Sequence, residues 1–178
     1  MQSAIAYDIT MQETYWHKLT QFKFELNYYS LHFSLCVKII RWLRVSSATL
    51  TALATGAWMN WNDIPAVRVF CAIAILVLQA ISAGVELLPY DKRKQEIREM
   101  INSLAPIYDA MEEDWVKISD GQFTKEDIRK KTYEYTEKKR EIEKYFFKED
   151  VLPEKKKIEE KAEKDTAAYF NTLFHKGE

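Results

Sequence analysis

Two uncharged runs lie back to back in this chain. They are VSSATLTALATGAWMNWN at Val45–Asn62 and VFCAIAILVLQAISAGV at Val69–Val85, separated by DIPAVR. They hold 18 and 17 residues. As helices they would rise about 27 Å and 26 Å, against about 30 Å for the hydrocarbon core of a bilayer. Two apolar segments of matched length with a short link form a helical hairpin that can bury itself only in lipid or in another protein. We read it as a transmembrane hairpin over 45–88, with helices at about 45–62 and 66–88. A buried pair of core helices in a soluble bundle is the competing reading.

The flanks favour the membrane. Lys38, Arg41 and Arg44 precede the first run, and Lys92, Arg93 and Lys94 follow the second. The link between the runs carries only Asp63 and Arg68. Under the positive-inside rule both ends of the hairpin face the cytoplasm. Trp42, Trp58 and Trp61 sit near the ends of the first run, where aromatic belts form. Asp63 is placed to cap the second helix, and Pro65 suits its first turn.

Charge partitions along the chain. From Asp91 to Glu178 there are 20 Lys and Arg against 22 Asp and Glu; before Asp91 there are 6 against 5. The overall balance of −1 gives no electrostatic footprint for nucleic acid. Four Gly and four Pro leave few turns, which points to an all-α protein. Two cysteines, Cys36 and Cys71, form no disulfide framework. The start MQSAIAYDIT lacks a basic-then-apolar pattern and reads as a loose lead-in.

Before the hairpin, Tyr15, Leu19, Phe22, Leu26, Tyr29, Phe33, Cys36, Ile40 and Leu43 recur at alternating spacings of four and three. This heptad-like stripe predicts a long helix in an N-terminal cytoplasmic segment, 1–44. With no breaker before Val45, that helix should continue into the hairpin. Residues 89–178 read as a charged helical cytoplasmic domain. Ile97, Met100, Leu104, Tyr108, Met111, Trp115 and Ile118 form one apolar face. Pro106 should interrupt and kink that helix. Asp120–Gly121 marks a turn, and Thr124 with Asp127 reads as a capping box. Ile128, Tyr135, Ile142 and Phe146 face inward on the next helix. A break near Asp150–Pro153 precedes a last helix from Glu154 to about Phe174, with Ile158, Ala162, Tyr169, Leu173 and Phe174 inward. Its Lys155, Lys156, Lys157, Glu159, Glu160 and Lys161 form a solvated or coiled-coil face.

Catalytic chemistry is not encoded. His17, His32 and His175 are isolated, with no second ligand at metal spacing. No glycine-rich phosphate loop or nucleophile elbow occurs. Glu112, Glu113 and Asp114 read as a solvated acidic face. We therefore expect no enzyme, no cofactor and no metal.

The hairpin carries two finer patterns. Ala48, Ala52 and Gly56, and Ala80 and Gly84, are spaced by four, a spacing of small residues that lets helices approach closely in lipid. These are candidate helix contacts. Thr51, Thr55, Gln79, Ser82 and Glu86 are candidate polar groups, either joining the two helices or lining a pore formed by several copies.

The layout resembles the SLATT family, the two-transmembrane domains associated with SMODS nucleotidyltransferases and SLOG domains. The likeness rests on the order of elements and on LPYDKR at Leu88–Arg93, the run Met111–Trp115, and GQFTKEDI at Gly121–Ile128. It implies a membrane effector of bacterial antiphage defence that oligomerises and permeabilises the inner membrane, both termini cytoplasmic. It implies as partners the lipid bilayer, further copies of the chain, and a separate sensor protein or nucleotide second messenger as trigger. The alternative is a membrane anchor or scaffold that recruits a cytoplasmic partner.

Overall fold

The computed structural model describes residues 2–61, 64–87, 90–147 and 155–174. Five helices follow in order: α1 (Gln2–Trp61), α2 (Pro65–Leu87), α3 (Tyr90–Ser119), α4 (Lys125–Phe146) and α5 (Lys156–Phe174). No strand occurs among the described residues, so the chain is all-α. Contacts divide it into two compact units, Met1–His32 with Glu96–Glu178, and Phe33–Gln95. The expected boundaries lay at 44/45 and 88/89, so the second unit takes in the basic residues on both sides of the apolar runs.

α1 is unbroken for 60 residues. Its first Gly or Pro is Gly56, so nothing in the sequence stops helix propagation before that point. The segment expected as a loose lead-in is helical from Gln2.

In the first unit, the N-terminal part of α1 packs with α3, α4 and α5. The predicted stripe is the seam: Tyr15, Leu19, Phe22, Leu26 and Tyr29 are all buried. On α3, Ile97, Met100, Leu104, Tyr108, Met111 and Ile118 are buried as predicted, and Trp115 is half-buried. Contrary to expectation, Pro106 lies inside α3 without interrupting it. Packing on both sides of Pro106, through Leu104 and Tyr108, offsets the lost hydrogen bond. α3 ends in a Schellman turn. Gln122 N–H donates to Lys117 O at 2.9 Å and Gly121 N–H to Ile118 O at 3.0 Å. Gly121 takes φ 71° there, a conformation glycine adopts without Cβ strain. The Thr124–Asp127 capping box is formed, and starts α4 one residue later.

α5 departs from its expected face. Ile158 and Ala162 are buried and Tyr169 is half-buried, but Leu173 is 49% exposed. The buried row runs Ile158, Ala162, Thr166, Phe170, at a strict spacing of four. Four-residue steps drift by about 40° per turn, which carries the seam onto Phe170 and rotates Leu173 outward. The expected break at Asp150–Pro153, and Glu154, lie outside the described residues. So does the side chain of Phe174.

In the second unit, at most three residues join α1 to α2, which makes the two helices antiparallel neighbours. Pro65 is the first residue of α2, where its missing N–H costs nothing. Asp63, the expected cap, lies outside the described residues. The inward face of α2 is Cys71, Ala74, Ile75 and Leu78, the i, i+3, i+4, i+7 pattern of one helix face. Cys71 and Leu78 are buried; Ala74 and Ile75 are half-buried. On α1 the stripe continues through Cys36 and Ile40, both buried, to Leu43 and Ser47, both half-buried.

Among the described residues, no helix is long and apolar enough to cross a membrane. That differs from the expected spans at 45–62 and 66–88. The first run is diluted by Ser46, Ser47, Thr49, Thr51 and Thr55. The second reaches Val85 only through side chains that lie outside the described residues.

Candidate functional site: the outer face of the hairpin

A helix pair that buries one face must present the other. Here the presented face is apolar. On α2, Val69, Phe70, Ile73, Leu76 and Val77 are exposed, Phe70 to 73%. On α1, Trp42 is 71% exposed, and Val45, Leu50 and Leu53 are exposed with it. Soluble monomers rarely display contiguous apolar surface of this kind; it marks a membrane or protein contact.

Three residues of the small-residue rows do not lie in the seam between α1 and α2. Ala48, Ala52 and Ala80 are exposed, and Gly56 is half-buried. The heptad phase inherited from the N-terminal stripe fixes the seam on Leu43 and Ser47. Ala48 lies about 100° further round the helix. Gly84 lies in α2, with its surroundings outside the described residues. Within one chain Ala48, Ala52 and Ala80 are therefore surface, available to another copy.

The polar candidates divide. Thr51 Oγ1 donates to Ser47 O at 2.8 Å and Thr55 Oγ1 to Thr51 O at 2.9 Å; Thr49 does the same to Val45 O at 2.9 Å. These hydroxyls are satisfied by the backbone carbonyls one turn back in their own helix. Gln79 is exposed on the outer face. The side chains of Ser82 and Glu86 lie outside the described residues, as do those of Trp58 and Trp61. Cys36 and Cys71 are both buried and neither is in a disulfide.

A second concentration of chemistry lies in the first unit, at the run Met111–Trp115, whose Glu112, Glu113 and Asp114 read from the sequence as a solvated acidic face. Only Glu113 is: it pairs with Lys117 at 2.8 Å on the surface. Met111 O accepts a 2.8 Å hydrogen bond from Tyr15 on α1. Glu112 accepts from Tyr169 on α5 at 2.6 Å and from Tyr108 at 3.2 Å. Asp114, 6% exposed, accepts from Tyr135 on α4 at 2.6 Å and pairs with Lys131 at 3.0 Å. Trp115 stacks on Tyr15 and lies 4.9 Å from Trp16, which meets Phe170 of α5 edge-on at 4.8 Å. Five consecutive residues thus contact each of the other helices of the bundle. At about 100° per residue, Glu112 and Asp114 flank the apolar stripe and Glu113 points away from it. That angular position was the available sequence signal.

Electrostatics follow from this packing. Burial pushes up the Tyr15, Tyr29, Tyr108 and Tyr135 hydroxyls, and Tyr169 rises to about 12. Lys23 lies 3.6 Å above the Tyr169 ring and 4.7 Å from that of Tyr108. Burial lowers its pKa, opposed by Glu112 and Asp109. Burial alone would raise the Asp114 carboxyl, but the Tyr135 hydrogen bond and the Lys131 contact prevail and hold it below the ordinary aspartate range. Lys139 pairs with Glu25 and lies 3.7 Å from Glu143, which accepts from Tyr29 at 3.0 Å.

A depressed carboxylate stabilises the fold above its unfolded pKa, and that contribution disappears as pH falls through the folded value. Asp114→Asn should therefore cost about 1.5–3 kcal/mol at pH 7. The difference from the parent chain should shrink once pH drops below 3.8. Chemical unfolding of both chains across that range checks it; a pH-independent difference would assign the loss to shape and not to charge.

None of this network is arranged as an acid–base pair around an open cleft. The pocket between Lys18, Phe22, Met111, Tyr135 and Lys139 encloses about 40 Å³, room for a water or two. No group of His, Cys, Asp or Glu among the described residues could hold a metal ion. No protein-family model matches the chain, and neither a curated protein nor a solved structure matches it.

Proposed function

We propose that the chain is a membrane effector whose hairpin, α2 with the C-terminal part of α1, inserts in the bilayer, and whose copies associate there and permeabilise it. In this reading the membrane is the bacterial inner membrane and both termini are cytoplasmic. The permeabilisation serves antiphage defence, triggered by a separate sensor protein or a nucleotide second messenger. The observation that carries the reading is the apolar outer face from Trp42 to Val77. Lipid is the solvent that makes such a face favourable, and the charge-free sequence of α2 continues to Val85. The satisfied threonines suit the same environment.

Association is favoured by Gln79. An exposed amide in an apolar helix is costly in hydrocarbon unless another chain hydrogen-bonds it. The exposed Ala48, Ala52 and Ala80 would allow close approach at that contact. A scaffold that recruits a cytoplasmic partner is the second reading, favoured by Thr51 and Thr55, whose hydroxyls need no lumen.

One experiment separates the two. Cells that express the chain with its triggering system should lose membrane potential, read with a voltage-sensitive dye. Gln79→Leu combined with Thr55→Leu should preserve membrane insertion and abolish the loss. An intact potential during demonstrable activation would leave the scaffold as the function.

A further inference from the structure

We infer that the basic residues gathered at the open end of the hairpin form a collar that binds the phosphate headgroups of anionic phospholipids. The inference rests on the membrane reading above and adds which lipid the protein requires. The unit Phe33–Gln95 holds seven Lys and Arg against three Asp and Glu, whereas the remainder of the chain holds 19 against 24. A chain that is acidic elsewhere has concentrated its excess positive charge in the one unit with the apolar face.

The positions are specific. Lys38, Arg41 and Arg44 are exposed and spaced by three along α1. No acidic residue occurs between Glu25 and Asp63, so this stretch of α1 carries a net positive charge of its own. Trp42 lies among them at 71% exposure, with Val45 exposed beyond it. A polar-tipped aromatic between a basic cluster and an apolar face is the arrangement of a side chain seated at headgroup depth. The second cluster joins the first. α2 spans 23 residues, about 34 Å. Counting the same length back along α1 from Trp61 reaches Lys38. The start of α3, with Lys92 exposed and Arg93 and Lys94 half-buried, therefore returns to the level of Lys38–Arg41. Arg68, at the other end, stands alone.

Guanidinium groups pair bidentately with phosphate oxygens, and ammonium groups add charge. Each Lys or Arg near an anionic surface strengthens partition by about fivefold, so three together give about a hundredfold.

The test uses the full chain, synthesised without cells in the presence of vesicles and separated by flotation. Vesicles of phosphatidylcholine alone are compared with a phosphatidylcholine–phosphatidylglycerol mixture. The mixture should capture more chain, and raised salt should erase the difference. K38Q/R41Q/R44Q should lose the preference, while K156Q/K157Q/K161Q, which removes three exposed charges from α5, should keep it. Circular dichroism confirms that each variant is helical. Equal capture by both vesicles would overturn the collar and leave the membrane reading standing. Equal loss in the two triple variants would assign the preference to general charge and overturn the collar as well. Capture by neither vesicle would overturn the membrane reading, and the collar with it.

Discussion

On the proposed membrane insertion, Ile73→Arg combined with Val77→Arg should move the chain from the carbonate-resistant membrane fraction to the soluble fraction. Both residues are exposed on α2, one turn apart on its outer face. Arginine at the centre of a membrane helix costs about 2.5–3.5 kcal/mol on insertion, so the pair costs about 5–7 kcal/mol. That exceeds what the remaining apolar residues of a span supply at a few tenths of a kcal/mol each. The same substitutions on a water-facing helix would change stability by less than about 0.5 kcal/mol per site. Fractionation of cells expressing the two chains therefore distinguishes lipid from water as the solvent of this face. An unchanged distribution would mean that α2 presents Ile73 and Val77 to something other than hydrocarbon.

The second large effect lies in the bundle. Leu104→Ala should lower stability to chemical unfolding by about 2–5 kcal/mol, because the lost transfer energy is joined by the cavity left behind. Leu104 is fully buried on α3, between Met100 and Tyr108, which are also closed to solvent. Neighbours already tied down by hydrogen bonds, such as Tyr108 to Glu112, have little freedom to fill the space. Leu173→Ala serves as the contrast. The two leucines are chemically identical, but Leu173 is half open to solvent and should cost less than about 1 kcal/mol. Comparable losses at both sites would contradict the phase of α5.

Where a helix repeats a hydrophobic pattern over many turns, its core face is readable from the chain. Tyr15 to Tyr29 on α1 and Ile97 to Ile118 on α3 are such cases: many residues vote for the same angular position, and one error does not move it. α5 offers five large apolar residues over a similar length, and Leu173 turns outward against the expected phase. The acidic run fails for another reason. Glu112 and Asp114 become hydrogen-bond acceptors only because Tyr169 and Tyr135, 57 and 21 residues away, are brought to them. No local rule distinguishes a carboxylate that will meet a tyrosine from one that will meet water. The hairpin rows show a third case. Ala48, Ala52 and Ala80 have the right spacing for close packing, but spacing does not choose a partner.

The sequence by itself determined that the chain is helical, where α1 and α4 propagate and where α3 stops. These are local matters of breakers, caps and a glycine at positive φ, settled within a turn or two. It also determined which strip of α1 is apolar, since periodicity is a property of the helix alone. The tertiary structure decided which of the apolar surfaces would be consumed. Packing α1 against α3, α4 and α5 used the stripe from Tyr15 to Tyr29. In the second unit Cys36, Ile40, Cys71 and Leu78 became buried, and Trp42, Phe70, Ile73 and Val77 stayed outside. Apolar residues are interchangeable in their wish to leave water. Only the arrangement of the helices says which of them found protein and which still require another solvent.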